Sequence, residues 1–404
     1  MFLSDNFAPE GNAPASRTFE HTREWVAQGH KVTVITSAPN FPEGKVYDGY
    51  QNRWIFREKM LGVNVWRVKT YIAKNEGFFR RITDYLSFMI TSFMFGLFVK
   101  KVDLIVGTSP QFFTAIAAWA LAKIKKKPFV FEVRDIWPSS ITAVGAMKKG
   151  LLISMLENIE MFLYGQADLI IVVTNSFRAE LVERGVKSSK IKIILNGVDL
   201  DFYRPIGIKD PEFTKKYQLD SKIVVGYIGT LGLAHNLKNI LRAAEILKND
   251  RSIQFIIAGA GAEKDEIGRI IKEQDLKNVT MVPRQSKKDM PRLWSICDIC
   301  LVSLKNSAQF KGVLPSKIFE AMGMGLPLIM SVPKGEATQL VLNARAGMLV
   351  DPDNHIELAE TVSFLANNSE VRLELAKNSL NSSIFYGRSS AAQDLLRELV
   401  SLKC

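Results

Sequence analysis

Short, continuous apolar runs alternate with helix-like stretches along the whole chain, and this alternation restricts it to an α/β architecture. Lys31–Thr36, Val63–Val68, Asp103–Gly107, Phe129–Val133, Asp168–Val173 and Ile191–Leu195 are the runs of the first half. Val224–Gly229, Ile253–Gly259, Val279–Val282, Ile299–Ser303, Leu328–Ser331 and Gly347–Val350 repeat the pattern in the second. Strands that are apolar at nearly every position are buried on both faces, which means parallel sheets covered by helices. Between the two series, from Asn196 to Ser221, turn residues and charges dominate. A chain of 404 residues exceeds what one core usually supports. The reading is therefore two doubly wound, Rossmann-like domains: residues 1–203, a linker at 204–221, and residues 222–383. A C-terminal helix in 384–404 is expected to pack back toward the first domain. Ligands in such folds sit at the carboxyl ends of the strands, so the cleft between the domains is the expected site.

The charge balance points to an anionic partner. Fifty-three Lys and Arg against 41 Asp and Glu leave a net charge of +12, which suits nucleic acid, a phospholipid surface or a phosphorylated substrate. Nucleic acid is disfavoured because no RNP-like aromatic motif, paired Cys/His spacing or long basic tract is present. Three cysteines, Cys297, Cys300 and Cys404, are too few for a disulfide framework and fit a reducing cytoplasm. The Cys297-x-x-Cys300 pair runs from a helix end into an apolar strand, so it reads as core. The first residues lack the basic lead and apolar run of a signal peptide. No Asp-x-Asp box stands out, so neither a metal nor another cofactor is expected.

The richest local pattern is Phe310 to Pro327. Gly312, Val313 and Leu314 lead into Pro315 and Ser316, which suit a helix start, where unpaired N–H groups and the positive end of the dipole favour a diphosphate. Lys317 adds a point charge there, and Glu320, one turn on, can accept hydrogen bonds from the vicinal hydroxyls of a ribose. An ordinary capped helix with Ile318, Phe319 and Met322 inward is the structural alternative. Two further loops are weaker signals. Ser4–Thr18 offers small residues, among them Gly11 and Asn12, where backbone can approach a phosphate, although a plain capped loop explains it as well. Gly259-Ala-Gly261 opens a dinucleotide fingerprint but has Lys264 at the third glycine position, which discounts nicotinamide and leaves a close-approach role for Gly259.

One stretch departs from the soluble pattern. Residues 78–101 combine Phe78, Phe79, Phe88, Phe93 and Phe95 with the basic pairs Arg80, Arg81 and Lys100, Lys101. Asp84 and several hydroxyl residues argue against a spanning helix, so a helix lying in the membrane interface is expected, with a buried helix as the alternative. Lys123, Lys125, Lys126 and Lys127 form a second basic cluster.

Taken together, the Ser4–Glu10 loop, Gly29-His-Lys-Val-Thr-Val, Arg134-Asp-Ile-Trp-Pro138, Asn196-Gly-Val-Asp199, Tyr227–Gly232 and Pro315-Ser-Lys-Ile-Phe-Glu320 resemble the GT-B glycosyltransferases of family 4 over nearly the whole chain. The variants Pro-Ser-Lys-x-x-Glu and Arg-Asp-x-Trp-Pro are similar to bacterial surface-polysaccharide (O-antigen or capsule) transferases, notably those for N-acetyl-L-fucosamine. The resemblance implies a UDP-sugar donor, a polyprenyl-diphosphate-linked saccharide acceptor, retention at the anomeric centre and peripheral association with the cytoplasmic face of the inner membrane. It also carries roles onto residues. Gly229, Thr230, His235 and Lys238 follow the first strand of the second domain and would serve the phosphates, with Asn236 as a substitute donor. Arg284 would lie at the base. Asp135 is the preferred base or orienter for the acceptor hydroxyl, with Asp5 and Glu10 behind it. Two positions depart from the family pattern: Gly312 stands where the first of two paired glutamates belongs, and Arg134 stands where many relatives carry a histidine. Arginine stays protonated at neutral pH, so Arg134 can clamp a phosphate or orient Asp135 but cannot act as a base. A UDP-N-acetylhexosamine epimerase on the same fold and a non-catalytic membrane scaffold are the alternatives. The chain's four histidines weigh against the epimerase.

Overall fold

Each apolar run becomes a strand, and the polar segments that follow become helices covering it. The computed structural model describes residues 1–41, 43–72, 78–109, 112–136 and 150–402. Trp137, Pro138 and Cys404 of the sequence reading lie outside these, as do the side chains of Phe78, Phe79 and Arg81. The chain divides into two compact units, residues 1–195 with 388–404, and residues 196–387.

The first unit holds eight strands, β1 (Phe2–Leu3), β2 (Thr33–Ser37), β3 (Ile55–Met60), β4 (Val63–Val68), β5 (Ile105–Thr108), β6 (Phe129–Val133), β7 (Leu169–Val172) and β8 (Ile191–Ile193), in the order β3-β4-β2-β1-β5-β6-β7-β8. All neighbours run parallel except β3 and β4. That hairpin was not anticipated. Its two-residue turn, Leu61-Gly62, has positive φ at both positions (45° and 86°), the backbone that matches strand twist in a tight hairpin. One face of this sheet is covered by the helices Phe78–Gly96, Phe112–Lys125 and Leu151–Gln166, whose Phe88, Leu121, Leu156 and Leu163 share a core with Ile35, Ile105 and Ile170. The other face carries Ala13–Ala27 and the last helix, Arg388–Ser401. Trp25 packs with Ala392, Leu395 and Leu399 there and donates from Nε1 to the Ala392 carbonyl at 2.8 Å.

The second unit holds β9 (Ile223–Ile228), β10 (Ile253–Gly259), β11 (Val279–Pro283), β12 (Ile299–Ser303), β13 (Leu328–Ser331) and β14 (Gly347–Val350), all parallel, in the order β11-β10-β9-β12-β13-β14. Residues 196–203 belong to this unit, and the stretch read as a linker contains the helix Pro211–Tyr217, capped by Asp210. Gly323 shows how closely that stretch is fitted: a Cβ there would lie 2.8 Å from the Tyr203 carbonyl oxygen. Cys297 and Cys300 are buried free thiols, and burial pushes the Cys300 thiol up to about 12.

The helix at residues 78–96 is amphipathic, but not in the sense expected. Phe88 is 0% exposed, and Phe93 and Phe95 pack against the core. These aromatics are thus the core-facing side of the helix rather than its lipid-facing side. The helix ends at Gly96, where a Cβ would lie 2.5 Å from Leu121 Cδ1. Among the described residues no helix is long and apolar enough to cross a membrane.

Candidate active site

In the second sheet the strand order reverses between β9 and β12, so the loops leaving their carboxyl ends diverge and open a crevice there. The helix Ser316–Gly323 supplies this crevice with Lys317. Pro315 precedes the helix with extended backbone and provides no side-chain cap, so the first-turn N–H groups are left to other partners. Lys317 is buried, its Nζ has no hydrogen-bond acceptor, and it stands 3.6 Å from the centroid of the Tyr227 ring on β9. Burial lowers its pKa to about 8, against the nearby Cys300 and Glu320, which raise it. Gly229 is what lets the lysine lie so close: a Cβ at this position, where φ is 151°, would sit 2.9 Å from Nζ. Gly259 at the end of β10 serves Gly229 in turn, since its own Cβ would fall 1.8 Å from the Gly229 carbonyl oxygen.

Glu320, one helical turn beyond, is half-buried, and its Oε2 accepts a hydrogen bond from Nε1 of the fully buried Trp294 at 3.1 Å. His235 faces the Tyr227 ring edge-on at 6.0 Å and has a buried, unpartnered Nδ1. Burial, with Lys317 nearby, lowers its pKa to about 4, so it is neutral at physiological pH. The Ser303 and Ser331 hydroxyls, at the carboxyl ends of β12 and β13, are likewise buried without partners. Unsatisfied polar groups are costly in a core. Here they collect at the carboxyl end of the sheet, the end at which doubly wound folds take their ligands.

Several other expected contributors in this unit are exposed or already partnered. Lys238 makes a surface ion pair with Glu266 at 2.6 Å, since both helices start side by side. The Asn236 amide is spent on the Pro352 carbonyl at 2.7 Å. Thr230 points its side chain to solvent and uses its carbonyl to accept from the Tyr227 hydroxyl. Arg284 is exposed just past β11. Gly312 and Leu314 are buried and Val313 is half-buried, with the Val313 N–H already donated to Phe310. A cleft of about 470 Å³ lies between Gly259, Met281, Val282 and Pro283 on one side and Lys264, Asp265 and Arg269 on the other.

The first unit carries a second polar concentration, part of which the sequence reading missed. Glu132 stands within the buried strand β6 and pairs with Arg17 from the helix Ala13–Ala27. Arg17 also donates to Thr108 Oγ1 at 3.2 Å, and Arg134 Nη1 lies 3.7 Å from Glu132 Oε1. Burial opposes the Glu132 charge, but Arg17 and Arg134 outweigh it and hold its carboxyl below the usual range. His21 is buried near the same arginines and is pushed well below its ordinary pKa. The backbone N–H groups of Arg134 and Asp135 both donate to Ser109 Oγ, at 2.7 and 3.2 Å, which fixes the turn carrying Asp135. Asn12 is a helix cap, accepting from the Ala15 N–H at 2.9 Å, and Gly11 is exposed beside it. Glu10 is buried, with Oε1 held by the N–H groups of Asn40 and Phe41, and burial raises its carboxyl to about 7. Among the described residues no group of three or more His, Cys, Asp or Glu side chains converges on a metal site.

Comparison with known proteins finds glycosyltransferases over both halves of the chain. The family described as Glycosyltransferase Family 4 matches residues 15–202, and that described as Glycosyl transferases group 1 matches residues 209–382. The putative colanic acid biosynthesis glycosyl transferase WcaI of Escherichia coli is 27% identical over 79% of this chain and 80% of its own length. A Campylobacter jejuni relative, N,N'-diacetylbacillosaminyl-diphospho-undecaprenol alpha-1,3-N-acetylgalactosaminyltransferase, is 25% identical over 56% of this chain and 58% of its own length. Among solved structures, Anabaena HepE in complex with UDP-glucose superposes with a TM-score of 0.72 at 15% identity, covering 99% of this chain and 98% of that one. Sucrose-phosphate synthase from Thermosynechococcus elongatus gives 0.76 at 17% identity, with the same coverage.

Proposed function

The chain belongs to the group 1, family 4 glycosyltransferases of GT-B fold, and from that membership we propose its donor, its acceptor and the roles of its residues. The donor is a UDP-sugar, with an N-acetylhexosamine such as N-acetyl-L-fucosamine as the transferred group. The acceptor is a saccharide on a polyprenyl diphosphate at a membrane surface, in the assembly of a surface polysaccharide such as an O-antigen or capsule. The single observation that carries this reading is the buried, unpaired ammonium of Lys317 at the strand-order reversal, one turn from the Trp294-anchored Glu320. Supporting the lipid-linked acceptor is the Campylobacter relative, whose own acceptor is a diphospho-undecaprenol.

In the reaction the bond from the anomeric carbon to the β-phosphate oxygen breaks and its electron pair leaves with the diphosphate. The acceptor hydroxyl oxygen forms the new bond. With retention, the hydroxyl proton goes to the departing phosphate oxygen on the same face. Lys317 and the first-turn amides of Ser316–Gly323 stabilise the charge that develops on the leaving group, which is where preorganised donors lower the barrier most. Glu320 accepts from the ribose. Asp135, whose backbone N–H donates to Ser109 Oγ, orients the acceptor hydroxyl, and Arg134 lies beside Glu132. The test is radiolabelled transfer from a panel of UDP-sugars to a synthetic polyprenyl-diphosphate N-acetylglucosamine. We expect one donor to give product and Glu320→Ala to lose it; no product from any donor overturns the reading for that panel.

A further inference from the structure

We infer that Tyr227 is a positioning residue for the diphosphate: its ring face seats the Lys317 ammonium and leaves the N–H groups of that ammonium to the ligand. The inference deepens the donor reading of this site and rests on it. Tyr227 belongs to β9, one of the two strands at which the strand order reverses, and is 1% exposed. Lys317 Nζ stands 3.6 Å from the centroid of its ring. The Tyr227 hydroxyl donates to the Thr230 carbonyl at 2.7 Å, which fixes the attitude of the ring. Burial, with Glu263 nearby, raises the pKa of the phenol and keeps it a donor.

A ring does for a buried cation what a carboxylate cannot. Paired with a carboxylate, a cation spends both its charge and its donors on the partner, as Arg17 does on Glu132 and Arg388 on Glu20 in the first unit. An aromatic face attracts the cation through its quadrupole but offers no lone pair. Lys317 Nζ has no hydrogen-bond acceptor, so its charge is not cancelled and its three donors stay open. A diphosphate, with several acceptor oxygens, is the ligand class that uses them. The ionisable groups around the ammonium come from three elements: Cys300 in β12, Glu320 on its own helix, and His235 in the loop after β9. Burial keeps the Cys300 thiol protonated and the His235 ring neutral, and the Glu320 carboxylate accepts from Trp294.

The same side chain ties together two parts of the site that are far apart in sequence. Its ring holds the lysine of the helix Ser316–Gly323, and its hydroxyl holds the loop that leaves β9. That loop is laid along the exit of β10, with the Gly229 N–H donated to Ala258 and the Leu231 N–H to Ala260, both at 2.9 Å. Its glycine makes room for the lysine, since a Cβ on Gly229 would lie 2.9 Å from Nζ. His235, at the far end of the loop, meets the Tyr227 ring edge-on at 6.0 Å. Tyr227 thus sets where the ammonium stands relative to the loop, before any ligand arrives.

The experiment weakens the charge on the ring face without changing its shape. Tyr227→Phe is compared with full-length chains carrying mono-, di- and trifluorinated phenylalanine at the same position, and UDP binding is measured by calorimetry from pH 6 to pH 9. Fluorine draws electron density from the ring and loosens its hold on a cation. Tyr227→Phe keeps the ring face and loses only the tether to Thr230, so its UDP affinity is expected to differ from wild type by the same factor at pH 6 and pH 8. Each added fluorine is expected to move the midpoint of UDP binding further below the wild-type value of about 8, because the ammonium is then less favoured. For the trifluoro chain the shift is expected to be about one unit, which makes UDP about fivefold weaker than in Tyr227→Phe at pH 8 and nearly unchanged at pH 6. The ionisation of UDP itself is common to all the chains and cancels. A midpoint that stays fixed across the series, or affinity that falls equally at both pH values, overturns the inference, since a merely structural ring acts without regard to pH. The mono- and difluoro chains carry the trend if the trifluoro chain fails to fold. UDP binding that depends on Glu320 but not on fluorine removes the seat and leaves the donor reading standing; a wild type that binds no UDP removes both.

Discussion

Lys317, the lysine proposed to hold the diphosphate, departs from what stability favours. An ammonium buried over an aromatic ring with no acceptor is a local cost, tolerated because the group is needed for something else. Lys317→Met should therefore raise the thermal midpoint, since removing a buried uncompensated charge is worth on the order of 1–4 kcal/mol. The same variant should bind UDP about a hundredfold more weakly, a loss on the order of 2.7 kcal/mol. Its pH dependence has a defined sign. Burial lowers the folded-state pKa to about 8 from 10.5, so between these values the unfolded chain holds a proton that the folded chain has released. The stability advantage of the Met variant should thus be full below pH 8 and shrink as pH rises beyond it. UDP binding should move the other way for the wild type, weakening above pH 8 because the free lysine is then neutral; titration calorimetry across pH 7 to 10 reads this. Trp294 holds the carboxylate of Glu320 by its Nε1 hydrogen bond, which makes it the positioning residue of the proposed ribose contact. In Trp294→Phe we expect UDP affinity to fall about tenfold, with 2'-deoxy-UDP affinity changed much less, because only the ribose contact depends on the carboxylate's orientation. An equal fall for both ligands would mark the tryptophan as merely structural.

At the scale of elements, the apolar runs were sufficient to locate twelve of the fourteen described strands, because both-face burial leaves an unbroken signature in sequence. What escaped had a physical reason. β3, with Arg57, Glu58 and Lys59, is an edge strand whose charged residues mask it, and only its Leu61-Gly62 turn hinted at a hairpin. Glu132 could have been found: a carboxylate inside Phe129–Val133 cannot stay unpaired in a buried strand, which already calls for a cation such as Arg17. Lys238 could not, because pairing with Glu266 depends on how two helices align, which spacing along the chain does not reveal. The glycine loops make the sharpest element-scale prediction. Gly259→Ala puts a methyl group onto the Gly229 carbonyl at a φ of 149°, so backbone must move. We expect a loss of roughly 3 kcal/mol in stability together with weaker UDP binding, measured by denaturant unfolding and calorimetry.

For the whole molecule, the two units have separate cores, and the last helix belongs to the first of them. Deleting residues 388–404 removes Leu395 and Leu399 from that core, worth about 1.5–3 kcal/mol each, and strips Arg388 from the buried Glu20. Scanning calorimetry should show the first unit's transition lowered or lost and the second unit's unchanged; a uniform shift would contradict the division. The net charge of +12 fits both anionic substrates proposed for the chain, a nucleoside diphosphate and a lipid diphosphate. All of this depends on where the nucleotide lies. A crystal of the protein soaked with UDP decides it: the account predicts phosphate oxygens within hydrogen-bond distance of Lys317 Nζ and the first-turn amides of Ser316–Gly323, with the ribose hydroxyls on Glu320. UDP bound away from that turn, with Lys317 still seated on Tyr227, would contradict it.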